Sequence, residues 1–487
     1  MSRNAAVSVG ILAVFLAGTV LLGLLATARR HRSLTEWSVG GRSLGLPLTW
    51  VLMAGETYTS YSYLGAAGWS YKNGVSGLYL VAYLSVGMAV TYVTGPLVWT
   101  YAHRHGLNSL SDLAAHRFAS PLAGAVVTVL ATVFILPYVQ IQITGMGVVV
   151  ATISYGTISL GVAYLLAFLV SEAFVLVSGL RGSAWASVLK DSLVVATMLV
   201  IFVWVPLHYF GGYRELLHRM VSTHPAWLTL PGPVSPELGI GWFVSTSALN
   251  AVVYSIFPTT VAGFLGARSA KVLRSNAVYL PFYQLLLFVP VLLGFASVLV
   301  VPGLTDSNLA LFTLVTDTLP SWLLGVVGAA AALSSIVPMA VFMLVIGTMW
   351  TRSSGTAGEG SRRLAQLVTL LAGVVALGMT YLFPNALVRL SVLSYEGMAQ
   401  LLPLTLLALL WRRLSLPAAL SGAAVGVLLD ALLVYRGADP LYGVNAGLVA
   451  LAANLLTAGA LTWLCPANIP DNRLAVPEPA LVAPRPS

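Results

Sequence analysis

Charge is what this sequence has least of. Of its 487 residues only 8% are Asp, Glu, Lys or Arg, against about 25% in soluble domains. The hydrophobic share is 58% and the mean hydropathy +0.90. A soluble fold of this size has too much surface to hide that apolar content, so lipid is the solvent. Cysteine is nearly absent as well. Cys465 stands alone, which excludes an internal disulfide and any Cys-based metal or iron–sulfur centre and leaves an inert thiol near a helix end. Histidine is missing from the apolar runs: all seven (31, 103, 105, 116, 208, 218 and 224) fall in loops or at span ends. A membrane redox subunit with bis-His haem needs axial ligands inside the bilayer, and this distribution argues against one.

What is present is a series of apolar stretches, each near the roughly 20 residues that a crossing requires. They fall near 5–27, 47–70, 76–100, 122–151, 157–180, 183–210, 239–266, 276–303, 320–350, 364–384, 386–411, 415–435 and 444–465. The first has a competing reading as a signal peptide, with Arg3 before it and Ala26-Thr27-Ala28 at its end. Arg29, Arg30 and Arg32 follow at once, and that charge favours a retained first helix. The chain is thus expected to be an all-α polytopic membrane protein of about thirteen transmembrane helices.

The net charge of +9 would suggest nucleic acid in a soluble protein; here it is topology information. Alternating sides from an outside N-terminus places most basic loop residues inside, among them Arg42, Arg104, Arg117, Arg181, Arg268, Lys271, Arg274, Arg352, Arg412 and Arg413. Lys72, Arg214, Arg219 and Arg436 remain outside, with Arg3 at the N-terminus and Arg389 at a span end. That asymmetry supports the count and the orientation in the cell (inner or plasma) membrane, N-terminus out and C-terminus cytoplasmic. Residues 1–465 form one transmembrane domain with core spans over about 46–411, and 466–487 form a Pro-rich, disordered cytoplasmic tail. The long loop 211–238 is expected outside, with a short interfacial helix over Arg214–Met220, and 304–319 as a second external cap.

Three spans depart from lipid-anchor composition. The second places Gly55, Glu56, Thr57, Thr59 and Ser60 near its middle. A carboxylate at the bilayer centre costs about 2.5–3.5 kcal/mol on insertion scales, and glycine beside hydroxyl residues weakens a helix. The expectation is a broken helix whose freed carbonyls line a polar cavity; a helix-packing role for Gly55 and a paired or protonated Glu56 is the structural alternative. The seventh span, with Asn250, Tyr254, Pro258, Thr259, Thr260 and Gly263, is interrupted too. Interrupted spans five helices apart are the sign of inverted five-helix repeats. The ninth carries Ala329-Ala-Ala-Ala-Leu-Ser-Ser-Ile-Val-Pro338, where Ser334 and Ser335 offer adjacent hydroxyls and Pro338 frees a carbonyl one turn back. A hard cation such as Na⁺ takes oxygen ligands of this kind, although small and hydroxyl residues also serve as helix-packing contacts. Gln140, Gln142, Glu172, Glu396 and Asp430 are polar positions expected to be satisfied by neighbouring helices, and Lys190-Asp191 is read as an interfacial pair.

Arg42-Ser-Leu-Gly45, Ala54-Gly-Glu-Thr-Tyr-Thr-Ser60 with Gly65, Ser111-Asp112 with Arg117-Phe118, Gly179-Leu-Arg-Gly-Ser-Ala-Trp185 and the Ala–Ser run of the ninth span together resemble the sodium:solute symporters over nearly the whole chain. Tyr58-Thr59, Leu136-Pro-Tyr138 with Gln140 and Gln142, Val188-Leu-Lys-Asp191, Phe257-Pro258 and Ile336-Val-Pro338 are most similar to the monocarboxylate (lactate/pyruvate) permease branch. The resemblance implies a five-plus-five inverted-repeat (LeuT-like) core of spans two to eleven, a carrier rather than an enzyme, and no cofactor beyond Na⁺ as coupling ion. It also implies that the carbonyls of Gly55, Tyr58 and Ala331 and the hydroxyls of Ser334 and Ser335 hold Na⁺. In one departure, the proline-permease branch has an aspartate where this chain has Thr57. Glu56 is adjacent but about 100° away around a helix, so H⁺ coupling through Glu56 is the alternative.

The expected activity is ion-coupled uptake of a small organic anion, a monocarboxylate, by alternating access in the lipid bilayer. Glu56, Thr59, Tyr61, Gln142, Asn250 and Tyr254 are the candidate substrate residues, with the carboxylate at the electropositive break of span two. Two competing readings stand beside it: a Na⁺- or H⁺-coupled permease for another solute, such as an amino acid or pantothenate, and a transporter-like membrane sensor working through a separate partner.

Overall fold

The computed structural model describes residues 2–27, 39–353, 359–383 and 387–464. Arg29, Arg30, Arg32, Cys465 and the tail from 466 lie outside them. Nineteen α-helices occur among the described residues, and their only β features are isolated bridges.

Helix α1 (Arg3–Thr27) is the first span. The second is split into α2 (Leu46–Thr57), a π-helical turn over Tyr61–Gly65 and α3 (Ala66–Asn73). Then come α4 (Tyr79–His105), the short α5 (Leu110–Phe118), α6 (Pro121–Ile153) and α7 (Leu160–Phe210). A straight helix of that last length would reach roughly 77 Å, more than twice the hydrocarbon thickness. Gly179 resolves this: its φ of 57° and ψ of −178° divide the segment, a conformation that only glycine adopts readily. The fifth and sixth expected spans are its two halves.

Helix α8 (Tyr213–Thr223) is the short amphipathic helix expected in the long loop. The seventh span is α9 (Ile240–Tyr254) and α10 (Pro258–Gly266), the eighth α11 (Ala270–Gln284) and α12 (Phe288–Val300). A capping segment holds α13 (Ala310–Thr316), and α14 (Ser321–Ser353) is the ninth span. Then follow α15 (Glu359–Leu382), α16 (Leu387–Ala399) with α17 (Leu406–Leu410), α18 (Leu416–Tyr435) and α19 (Ala446–Leu464). Ten helical stretches among the described residues are long and apolar enough to span. The broken second span, the first half of α7 and the α16–α17 pair complete thirteen.

The centre of the bundle is α14, which packs against α1, α6, α7 and α15. Every residue from Val327 to Met349 is buried. By contrast α1 and α15 show most of their surface outward, as helices facing lipid do. The two interrupted spans are tied together at their ends: the Leu44 amide donates to the Gly266 carbonyl at 3.0 Å, and the Arg268 amide to the Leu44 carbonyl at 2.9 Å. The α18–α19 hairpin is held to α16 by a polar chain, in which Gln400 donates to the Gly447 carbonyl and Asn454 to the Gln400 carbonyl. Glu396 accepts from Asn445 at 2.6 Å, so these polar groups bridge helices.

Candidate functional site: the two helix breaks

Helix α2 stops at Thr57, and Tyr58 takes φ −95° and ψ 85°. The opening lies three to five residues beyond Gly55. A break inside a bundle strands backbone groups that must find partners, and five such groups have identifiable partners here. The Ser62 hydroxyl donates to the Thr57 carbonyl at 2.7 Å, and the Tyr61 amide donates to the Thr59 hydroxyl at 3.2 Å. The Ser60 amide reaches Gln142 Oε1 at 3.4 Å. The Gly55 and Tyr58 carbonyls accept from Lys190 Nζ at 2.8 and 2.9 Å.

The second break is simpler. Helix α9 ends at Tyr254, Phe257 is extended, and Pro258 starts α10 at a position where its missing amide costs nothing. Thr259 and Thr260 therefore sit in a first helical turn, where amides lack helical acceptors. The Tyr254 hydroxyl lies 3.5 Å from the Thr57 hydroxyl and joins the two breaks.

Between the breaks is a cavity of about 20 Å³, room for roughly one water. Glu56, Thr57, Thr59 and Tyr61 come from the second span, and Tyr254, Phe257, Thr259 and Thr260 from the seventh. Tyr83, Leu84, Tyr138, Phe342 and Tyr395 close it. The aromatic walls pack edge-on or tilted, with Tyr138 to Phe257 at 5.4 Å and Phe257 to Tyr395 at 5.1 Å between ring centroids. Tyr138 is fixed by its hydroxyl on Ser391 at 2.7 Å. Both Glu56 oxygens are buried, and the Thr259 side chain of the second break is a polar neighbour within reach of them. A larger chamber of about 580 Å³ lies at the far end of α3, lined by Tyr71, Lys72, Tyr164, Trp227, Asp306 and Asn308 among others.

Four of the six expected substrate residues, Glu56, Thr59, Tyr61 and Tyr254, line the small cavity. Gln142 stands behind it, supporting Ser60. Asn250 is buried one turn before Tyr254, and its amide atoms are without partners. Tyr83, Phe342 and Tyr395 were not anticipated; as aromatics in apolar helices they carry no signal that separates them from core. Of the expected ion ligands, Ser335 contacts Ser60 hydroxyl to hydroxyl and also donates to the Ala331 carbonyl at 3.3 Å. Ser334 donates back to Ala330 at 2.8 Å.

Lys190 and Asp191 do form a pair, with Nζ 2.9 Å from Oδ1, but not at an interface. Lys190 is 0% exposed and Asp191 5%. The physical reason is the start of the helix: counted from Gly179, Lys190 lies eleven residues in, roughly 16 Å along the axis. Tyr283 of α11 donates to the same Asp191 oxygen at 3.0 Å.

Comparison with known proteins fits this geometry. The model of the sodium:solute symporter family matches residues 37–426. This chain belongs to that family. The symporter is 33% identical over 400 residues to an uncharacterized symporter, YhjB, of Bacillus subtilis, covering 80% of this chain and 81% of that one. It is 28% identical over 492 residues to a monocarboxylate transport permease protein of Rhizobium johnstonii, covering 94% and 98%. Its fold is similar to that of a Na⁺-coupled sialic acid symporter in a substrate-bound outward-open state, with a TM-score of 0.77 at 14% identity over 95% of this chain and 99% of that one. A nucleobase-cation-symport-1 family transporter is more distantly alike, with a TM-score of 0.57 at 16% identity over 88% and 94%. The symporter is therefore a multi-pass membrane carrier for ion-coupled solute uptake, not an enzyme, and its broken second and seventh spans belong to a five-plus-five core.

Proposed function

We propose that this symporter takes up a small monocarboxylate together with a cation, by alternating access around the cavity between the two helix breaks. The observation that carries the reading is that cavity. It is walled by aromatic rings and hydroxyls, and the first turn of α10 presents amide donors and a positive dipole end to it. Those donors suit a carboxylate, and Thr59, Thr259 and Thr260 supply hydroxyls to orient it. Tyr138, Phe257 and Tyr395 contact the short apolar part. At about 20 Å³ the cavity is closed down to room for roughly one water, so the solute occupies a wider state of the same site in the alternating-access cycle. The monocarboxylate permease among the relatives supports the same class.

The family makes Na⁺ the reference coupling ion, at the carbonyls of Gly55, Tyr58 and Ala331 and the hydroxyls of Ser334 and Ser335. The Lys190 ammonium competes for the first two of these ligands. The N-terminus lies outside and the C-terminus in the cytoplasm, so the chamber at Lys72 faces the medium and its cationic side chain draws anions in.

Counterflow of labelled pyruvate or lactate in proteoliposomes tests the substrate class, run in Na⁺ and in choline media at several pH values. Counterflow above protein-free vesicles is expected. If no cation or pH supports it while amino acids or pantothenate exchange, the monocarboxylate reading is wrong.

A further inference from the structure

We propose that the groove between α6 and α18 binds one anionic phospholipid, with an acyl chain along the groove and the phosphate at Arg412 and Arg413. The groove has a volume of about 620 Å³, within the usual range of ligand pockets. Its α18 wall is Leu420, Ala423, Ala424, Val427 and Leu428, a single stripe at helical spacing. Its α6 wall is Ala125, Val126, Val129 and Leu130. Every lining side chain is aliphatic, the alanines leave it hollow, and Val129 and Leu428 are 46% and 71% exposed. Both helices begin at the same end of the bundle, α6 at Pro121 and α18 at Leu416. At about 1.5 Å per residue the lining runs from about 6 to about 18 Å along α18, and from about 6 to about 14 Å along α6. The hydrocarbon of one leaflet is about 15 Å deep. The hollow therefore matches one lipid chain, whereas a second copy packing helix on helix would use the full thickness of about 30 Å.

An apolar slot alone does not choose a headgroup; the residues above it do. The chain enters α18 through a turn at Arg412 and Arg413, both exposed. Buried Arg117 of α5 holds that turn, donating to the carbonyls of Ala408 at 2.6 Å, Trp411 at 3.1 Å and Arg412 at 3.3 Å. Its Nη1 has no acceptor among the described residues. Ser415 caps α18 by accepting from the Ala418 amide at 3.4 Å, so the positive end of that helix lies at the same level. No carboxylate occurs in α6 or over residues 397–429. Positive charge thus gathers at the depth of the lipid phosphates, at the mouth of the slot, and the half-buried Trp411 suits the same interface. An anionic headgroup gains fully from this field, whereas a zwitterionic one brings its own cation into it. The orientation proposed above makes this the cytoplasmic leaflet, but the site does not depend on it.

The test uses the full-length protein, purified in detergent, stripped of lipid and offered equal amounts of dioleoylphosphatidylglycerol and dioleoylphosphatidylcholine. Native mass spectrometry counts the lipid that each monomer keeps. An arginine beside a lipid phosphate changes affinity about fivefold, so the wild type should keep phosphatidylglycerol over phosphatidylcholine by about thirtyfold. The double variant Arg412→Gln with Arg413→Gln should keep the two lipids about equally. Ala424→Phe, a change at an exposed position, fills the groove. It should remove the adduct of either lipid, and with it the rise in thermal midpoint that phosphatidylglycerol gives the wild type. Wild-type retention without a headgroup preference overturns the phosphate site, and retention unaltered in Ala424→Phe overturns the groove. A wild-type dimer that Ala424→Phe dissociates assigns the groove to a second copy and overturns the proposal too. So does equal binding of glycerol 3-phosphate, which has the anion and no tail.

Discussion

Breaking the buried Lys190–Asp191 pair tests whether these two groups act as one unit. At 2.9 Å and an effective dielectric of about 20, their attraction is about 6 kcal/mol. Most of it offsets the cost of removing two charges from water. Removing one partner leaves the other charged and buried, which costs about 3–5 kcal/mol. Lys190→Met and Asp191→Leu should each destabilise by that order, whereas the double variant leaves no orphaned charge and should cost less than their sum. The coupling free energy in the double-mutant cycle is expected at about 2–3 kcal/mol. Denaturation of the purified protein in mixed micelles by increasing SDS, followed by tryptophan fluorescence, measures all four corners. Additivity within about 0.5 kcal/mol would show that Lys190 is held by the carbonyls alone and would refute the pairing.

Two further predictions concern packing and orientation. A Cβ added at Gly145 would lie 2.3 Å from the Ser60 Cβ, so Gly145→Ala should force α6 away from the break, cost about 1–3 kcal/mol and depress counterflow. Gly10→Ala, with nothing within 4 Å, should leave the thermal midpoint unchanged or slightly raised. With Cys465 replaced by serine, a single cysteine at Lys72 should react with a membrane-impermeant maleimide in whole cells and one at Arg413 should not; the reverse pattern overturns the orientation.

Thirteen segments, both broken spans and the helix in the long loop were legible because each rests on composition over many residues. The breaks themselves were harder to place. Gly55 marks the second span by its weak helix propensity, yet the chain opens at Tyr58–Ser60, where hydroxyls of Thr59 and Ser62 and the amide of Gln142 receive the freed groups. Those partners are distant in sequence, or local only once the helix has opened. The α16–α17 span was read as continuous, but between Gln400 and Thr405 it runs as turns, with Pro403 inside. Lys190 was misjudged because hydropathy alone put the helix start near residue 183; the left-handed Gly179 starts it earlier and carries the lysine inward. Gln142 supports the site from behind because Ser60, not the cavity, claims its side-chain oxygen.

The burial of α14 has a consequence for how the carrier meets its membrane. A helix with no lipid-facing side cannot feel hydrocarbon thickness directly, because tilt and stretching act on surfaces that touch acyl chains. In this bundle α1, α15 and the exposed faces of α18 and α19 make that contact, while Val327–Met349 touches only protein. The level of Ser334 and Ser335 relative to Ser60 is therefore set by neighbouring helices and not by the bilayer. Cation affinity measured in bilayers of shorter or longer lipids should stay constant even where stability does not. The same seclusion explains the composition of the helix. Freed from the need to be oily, its middle is alanine and serine, residues small enough for four other helices to close around.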